Sequence, residues 1–158
     1  LTLTPENATR LNLNPMVSTN TNRFETAFTV SIEAREGVTT GVSAYDRLTT
    51  IRTATNKLSQ PSDLCSPGHI FPLVAKANGV LERRGHTEGS IDLLKIARLE
   101  PYAVICELMN KDGTMKRMQE LVCYAKENNV TIVSVDDIYS FRSAGILHTE
   151  SSNCHLTV

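Results

Sequence analysis

The sequence has no tryptophan, and aromatic residues of all kinds make up only 5% of its 158 positions. That scarcity argues against recognition of nucleic acid by base stacking. Neither sign of charge dominates: 16 Lys and Arg stand against 17 Asp and Glu, a formal net charge of -1. The basic excess of a polyanion-binding protein is therefore missing. No apolar run reaches the ~18 residues of a membrane-spanning helix. The chain opens at Leu1 with neither the basic nor the apolar region of a secretory signal. Its four cysteines, at positions 65, 106, 123 and 154, lie 41, 17 and 31 residues apart, without the close pairs of a zinc ribbon or redox motif. Cys106, in AVICEL, and Cys123, in ELVCYAK, read as small core residues, and reduced thiols suit a cytoplasmic setting.

What is present describes one globular domain. Hydrophobic residues are 41% and charged residues 21%, and the length allows about two-thirds of the surface to be buried. A strand end at LTL leads into a short helix that Thr4 can cap and Pro5 can start. A Thr/Asn-rich loop follows, and then a half-buried strand over 26–33, with Phe28, Val30 and Ile32 alternating with Thr29 and Ser31. Ser43 and Asp46 resemble a helix start after a flexible lead-in over 37–41. Prolines 61, 67 and 72 impose an ordered, extended path, and a helix begins near Thr87. Residues 102–109 and 130–135 have the length and apolar content of strands. Between them DGT at 112–114 makes a turn, and Met115, Met118, Leu121, Val122 and Ala125 recur at helical spacing, the two methionines reading as core. Asp136 can cap a last short helix. Strands and helices mix without strict alternation, which predicts an α/β domain of the α+β type with a mixed sheet over 1–144, then a tail or linker over 145–158.

Several residues could carry chemistry. Arg83, Arg84, Gly85, His86, Thr87 and Glu88 precede or open a helix, and two guanidiniums with free helix N–H groups would cradle a phosphate monoester. A solvated basic turn capped by Thr87 is the competing reading. His86 could ligate a metal or carry a proton, or simply face solvent. His69, in SPGHIFPL, sits between Pro67 and Pro72, and such rigidity suits a positioned acid or base as well as a histidine satisfied by a carbonyl. Glu107 interrupts an apolar run; burial there would raise its pKa toward neutrality, unless the strand ends and leaves it in solvent. The loop GVTTGVS offers Thr39, Thr40 and Ser43 to an anion or a sugar, but it lacks the lysine of a P-loop.

Together, FTVSIEAREGVTTGVSAYDRLTTIR, PSDLCSPGHIFPL, RRGHTEGSIDL, ICELMNKDGTM and VDDIYSFR resemble, in order and spacing, the 3,4-dihydroxy-2-butanone 4-phosphate synthases of riboflavin biosynthesis. The likeness runs from about Leu1 to Arg142. It implies that family's mixed α/β fold and a homodimer with sites at the subunit interface. It also implies conversion of D-ribulose 5-phosphate to L-3,4-dihydroxy-2-butanone 4-phosphate and formate with magnesium, or manganese. Carried over motif by motif, His86 would ligate the metal, and Arg83, Arg84, Gly85, His86 and Thr87 would hold the sugar phosphate with Thr40 nearby. His69 and Glu107 would be catalytic. No nucleic-acid or membrane partner is expected. The family's acidic loop, upstream of the strand matched by Leu1, has no counterpart in the residues given. A longer protein is the favoured expectation, ahead of a degenerate, non-catalytic sugar-phosphate-binding or dimerisation module, or a loop supplied by a partner chain. Nothing after Gly145 resembles the GTP cyclohydrolase II domain that follows in many family members.

Overall fold

The structure, a computed structural model, describes residues 1–145. In chain order its elements are β1 (Thr2–Leu3), α1 (Pro5–Arg10), β2 (Ile32–Ala34), α2 (Ala44–Thr55), β3 (Leu64–Ile70), β4 (Leu73–Val74), α3 (His86–Ile96), α4 (Met118–Asn128) and α5 (Val135–Ser143). Short 3-10 turns, Pro61–Asp63 and Gly79–Leu81, precede β3 and α3. The helix starts follow from their caps. The Thr4 hydroxyl accepts the Asn7 N–H at 3.3 Å, and the Ser43 hydroxyl accepts the Asp46 N–H at 3.0 Å, as their positions predict. The last helix is capped by Ser134 rather than by Asp136: Ser134 accepts the Asp137 N–H, and the Asp137 carboxylate accepts the Ser134 N–H in return.

In place of one mixed sheet there are two two-stranded ones, the first parallel and the second antiparallel. β1 runs parallel to β4, with Thr2 opposite Leu73, while single antiparallel bridges join Thr2 to Ala103, Leu73 to Phe28 and Thr29 to Pro15. The second pair, β2 with β3, is antiparallel and strongly bulged. Ile32 faces Ile70 and Ala34 faces Leu64, yet Glu33 faces Cys65. One step along β2 thus spans five residues of β3, and residues 66–69 swing out of the ladder. Gly68 permits this, because a Cβ there would overlap the Ile32 carbonyl group. Leu11, Ile32, Ala54, Leu64 and Ile70 form the core beneath α2 and this pair, each leucine or isoleucine worth ~1.5–3 kcal/mol of burial.

Several expectations fail. The strand expected over 26–33 is half-buried with Phe28 inward; instead Phe28 is 40% exposed, Thr29 is buried, and Ile32, Glu33 and Ala34 are all buried. Both faces of β2 are covered, which erases the polar-out alternation. Residues 102–109 form no strand beyond bridges at Ala103 and Met109, and 130–134 form none. Their apolar side chains, among them Val104, Ile105, Met109, Val130, Ile132 and Val133, are exposed. Cys106 and Cys123 are exposed thiols and not core, and Met115 and Met118 are likewise exposed. The segment over 37–41 is held rather than free, as the site geometry shows. The tail expected over 145–158 lies, apart from Gly145, outside the described residues.

Candidate active site

His69 stands on the excursion that the β3 bulge creates. Its ring Nδ1 lies 2.6 Å from Glu33 Oε2, and the same oxygen accepts the His69 backbone N–H at 3.3 Å. Glu33 Oε1 accepts the Thr50 hydroxyl from α2 at 2.8 Å. Burial pushes the Glu33 pKa up. The hydrogen bond and charge of His69, the Thr50 hydroxyl and the His69 backbone N–H outweigh it and hold the carboxyl below its ordinary value. The Glu33 side chain is 11% exposed, whereas that of His69 is 42% exposed. A buried carboxylate therefore grips an imidazole that remains open on its other side.

A second carboxylate holds the neighbouring loop. Asp46 Oδ2 accepts the Thr39 hydroxyl at 2.9 Å and the Gly41 N–H at 3.0 Å. Burial again raises this pKa, and the bonds from Thr39, Gly41 and Ser43 bring it below the usual aspartate value. Gly41 has φ +79°, and a Cβ there would overlap the Glu33 carboxylate and lie 2.6 Å from His69 Nδ1. The loop thus closes on the Glu33–His69 pair. Arg47 Nη1 donates to the His69 carbonyl at 2.7 Å, so α2 also fixes the backbone of this residue. Thr40 is exposed at the loop tip.

The basic cluster is engaged differently from the expected cradle. Arg83 pairs at 2.7 Å with Glu88, which is 1% exposed, and donates to the Phe24 carbonyl from Nε and Nη2. Gly85, the N-cap of α3, packs over that pair. Arg84 meets Asp136 at 3.0 Å and lies 3.8 Å from the Tyr139 ring centroid. Both guanidiniums therefore already have anionic partners. His86 is exposed at the first position of α3, and Thr87 is buried. Among the described residues no hydrogen bond or ion pair joins His69 to this cluster. Glu107 is exposed, and the apolar surround expected for it is absent, because 102–109 does not form a packed strand. A groove of about 550 Å³ between α1 and the 14–29 segment is lined by none of these residues.

The residues present do not fit a metal centre by themselves. Among the described residues no group of three His, Cys, Asp or Glu side chains could hold an ion. His86 supplies one imidazole, and Glu88 behind it is occupied by Arg83 and by the Lys76 N–H. An oxygen-seeking ion such as magnesium needs more.

A sequence profile of the family described as 3,4-dihydroxy-2-butanone 4-phosphate synthase matches residues 1–141. The chain belongs to that family. The synthase of Vibrio harveyi is 54% identical over 150 residues, covering 95% of this chain and 65% of the relative. That of Desulforamulus reducens is 54% identical over 142 residues, covering 90% of this chain and 65% of the relative. The chain thus spans just under two-thirds of the length of these relatives. Among solved structures, a two-domain synthase from A. baumannii superposes with TM-score 0.84 at 42% identity, over 89% of this chain and 41% of that one. A synthase in complex with two magnesium ions superposes with TM-score 0.82 at 33% identity, over 93% of this chain and 74% of that one. The α/β expectation holds for a chain with these neighbours.

Within this synthase family fold, four buried carboxylates do the organising: Glu88, which the sequence places in the basic cluster, and Glu33, Asp46 as a loop anchor and Asp92, whose roles the sequence does not announce. Asp92 is 0% exposed, accepts the Val80 N–H at 2.8 Å and pairs with Arg142 of α5. A Cβ at Gly79, where φ is +59°, would overlap the Asp92 carboxylate. A local signal exists for Glu88 and Asp46, which lie three and five residues after Gly85 and Gly41; Glu33 and Asp92 hold turns distant in sequence, and buried carboxylates there collect loop N–H groups. No helix of the described residues is long and apolar enough to cross a membrane.

Proposed function

We propose that this chain carries the catalytic core of a 3,4-dihydroxy-2-butanone 4-phosphate synthase, a lyase that converts D-ribulose 5-phosphate to L-3,4-dihydroxy-2-butanone 4-phosphate and formate. The observation that carries the reading is the His69 imidazole, half-open to solvent and bonded at Nδ1 to a buried carboxylate, on a chain of this family. The reaction requires proton removal beside a carbonyl and proton return later, work suited to a fixed imidazole with one free nitrogen. In this reading His69 moves those protons through Nε2, and Glu107 serves as the second acid or base once substrate is bound. Thr87, Gly85 and His86 offer the start of α3 to the phosphate, with Arg83 and Arg84 lending positive charge and Thr40 lying nearby. His86 is the residue of this chain assigned to a divalent ion, Mg2+ or Mn2+; its single imidazole is an incomplete ligand set. The partner is a small sugar phosphate, the assembly a homodimer, and the setting the cytoplasm.

The test is formate release from ribulose 5-phosphate with Mg2+, with calorimetric binding of the sugar phosphate in parallel. Formate release supports the lyase. Binding without formate by an N-terminally extended protein would assign the chain to the alternative, a non-catalytic sugar-phosphate module. Glu107→Gln is expected to abolish turnover with a change in stability under ~0.5 kcal/mol, as suits an exposed side chain. A normal rate in that variant removes Glu107 from the mechanism.

A further inference from the structure

We infer that Glu33 is a positioning residue for His69: its carboxylate fixes the imidazole with the proton on Nδ1 and leaves Nε2 as the atom presented to substrate. The inference rests on His69 acting as the acid or base, as proposed above. A carboxylate has only acceptor sites, so a neutral imidazole 2.6 Å from it must donate from Nδ1.

The carboxylate is itself immobilised. Oε2 takes both the ring and the backbone N–H of His69, so one oxygen sets the side chain relative to its own main chain. Oε1 takes the Thr50 hydroxyl, whose oxygen also accepts the Ala34 N–H at 3.0 Å. That second bond commits the single Thr50 proton to Glu33 and keeps the carboxylate from turning. Two other charged groups, both on α2, have partners of their own. From α2, Asp46 serves the 39–41 loop, and Arg47 donates to the Val42 and His69 carbonyls. From β3, Cys65 donates to the Glu33 carbonyl at 3.6 Å. Among the described residues Glu33 is thus the one charged partner of the ring. The Glu33 side chain is buried while that of His69 is half-open, and among the described residues the one side-chain hydrogen bond of the ring is the Nδ1 bond to Glu33.

The direct test is 15N NMR of the His69 imidazole in the wild-type protein at a pH where the ring is neutral. The expected spectrum has the proton on Nδ1 and a bare Nε2; a proton on Nε2, or an even mixture, overturns the inference without any variant. Glu33→Ala should shift the proton toward Nε2 and lower kcat at least about tenfold, with KM for ribulose 5-phosphate within about threefold. Glu33→Gln keeps an acceptor oxygen facing Nδ1, so it should retain the tautomer and recover part of the lost rate. A Glu33→Ala protein with unchanged tautomer and rate overturns the proposal. If His69→Asn turns over normally while wild-type His69 carries its proton on Nδ1, the acid–base reading of His69 fails and the tautomer assignment stands.

Discussion

In residues 1–98, each loop that presents a candidate site residue is tied to a buried carboxylate, whereas in 102–134 apolar side chains face solvent and no carboxylate is buried. Glu33 holds the 66–69 excursion, Asp46 the 39–41 loop, Glu88 the Arg83–Gly85 turn and Asp92 the turn at Gly79. In the later region Val104, Met109, Met118 and Ile132 are 62%, 59%, 62% and 46% exposed, and Glu107 is carried on an open connector. The difference separates two kinds of order. A carboxylate collects several N–H or O–H donors and so fixes a loop locally, even at a distance from any sheet. An apolar segment of strand length has no comparable local anchor and becomes a strand only when a partner edge and a covering layer are available. The geometry of His69 is therefore a property of the first region, and the role of Glu107 depends on surroundings the second region does not itself provide.

The comparison can be broken by removing the anchors. The largest effect is expected from Asp92→Ala, which leaves Arg142 without its partner and should cost about 3–5 kcal/mol in urea unfolding; a loss under ~1 kcal/mol would mean that the buried carboxylate is not an anchor. Gly41→Ala forces a side chain onto the Glu33–His69 pair at a backbone angle that favours glycine, and should lower turnover about 100-fold. Acid should weaken the first region specifically. Glu33 and Asp46 have folded pKa values below their ordinary 4.5 and 3.8, so their stabilising effect is complete above that range and is lost as pH falls through the depressed values. Urea midpoints measured from pH 6 to 3 should fall more steeply in the wild type than in Glu33→Gln combined with Asp46→Asn. Smaller still, Tyr139→Ala removes the stack of a half-buried ring on Arg84 and should cost about 0.5–1 kcal/mol. At the bottom of the scale, Val104→Thr and Ile132→Thr should each change stability by under ~0.5 kcal/mol, because both side chains are exposed. A loss above ~2 kcal/mol at either position would show that the second region is packed after all.

Local signals carried much of the first region. The Thr4 and Ser43 caps, the proline-directed path over 61–72 and the helix opening at RRGHT are decided by neighbouring residues, so they are legible in order along the chain. His69 is legible as a rigidly placed histidine, but its partner Glu33 is not. The two lie 36 residues apart and meet only because β3 bulges by several residues opposite one step of β2. The polar positions of the 26–33 segment misled for a related reason: Thr29 and Glu33 are covered on the face that alternation assigns to solvent. Asp92 needed Arg142, 50 residues on, and no periodicity announces that pair. In the second region, the apolar runs over 102–109 and 130–135 have the content of strands, and content does not supply the neighbouring edge.

The most direct measurement is formate release from ribulose 5-phosphate with Mg2+, comparing the wild type with His69→Asn at matched folded fraction. The account predicts a loss of about 100-fold or more in kcat with substrate binding retained, because the proposed proton carrier is removed and the groups proposed for the phosphate are untouched. An unchanged kcat would contradict it, and the carboxylate-held imidazole would then be only a structural element of the loop.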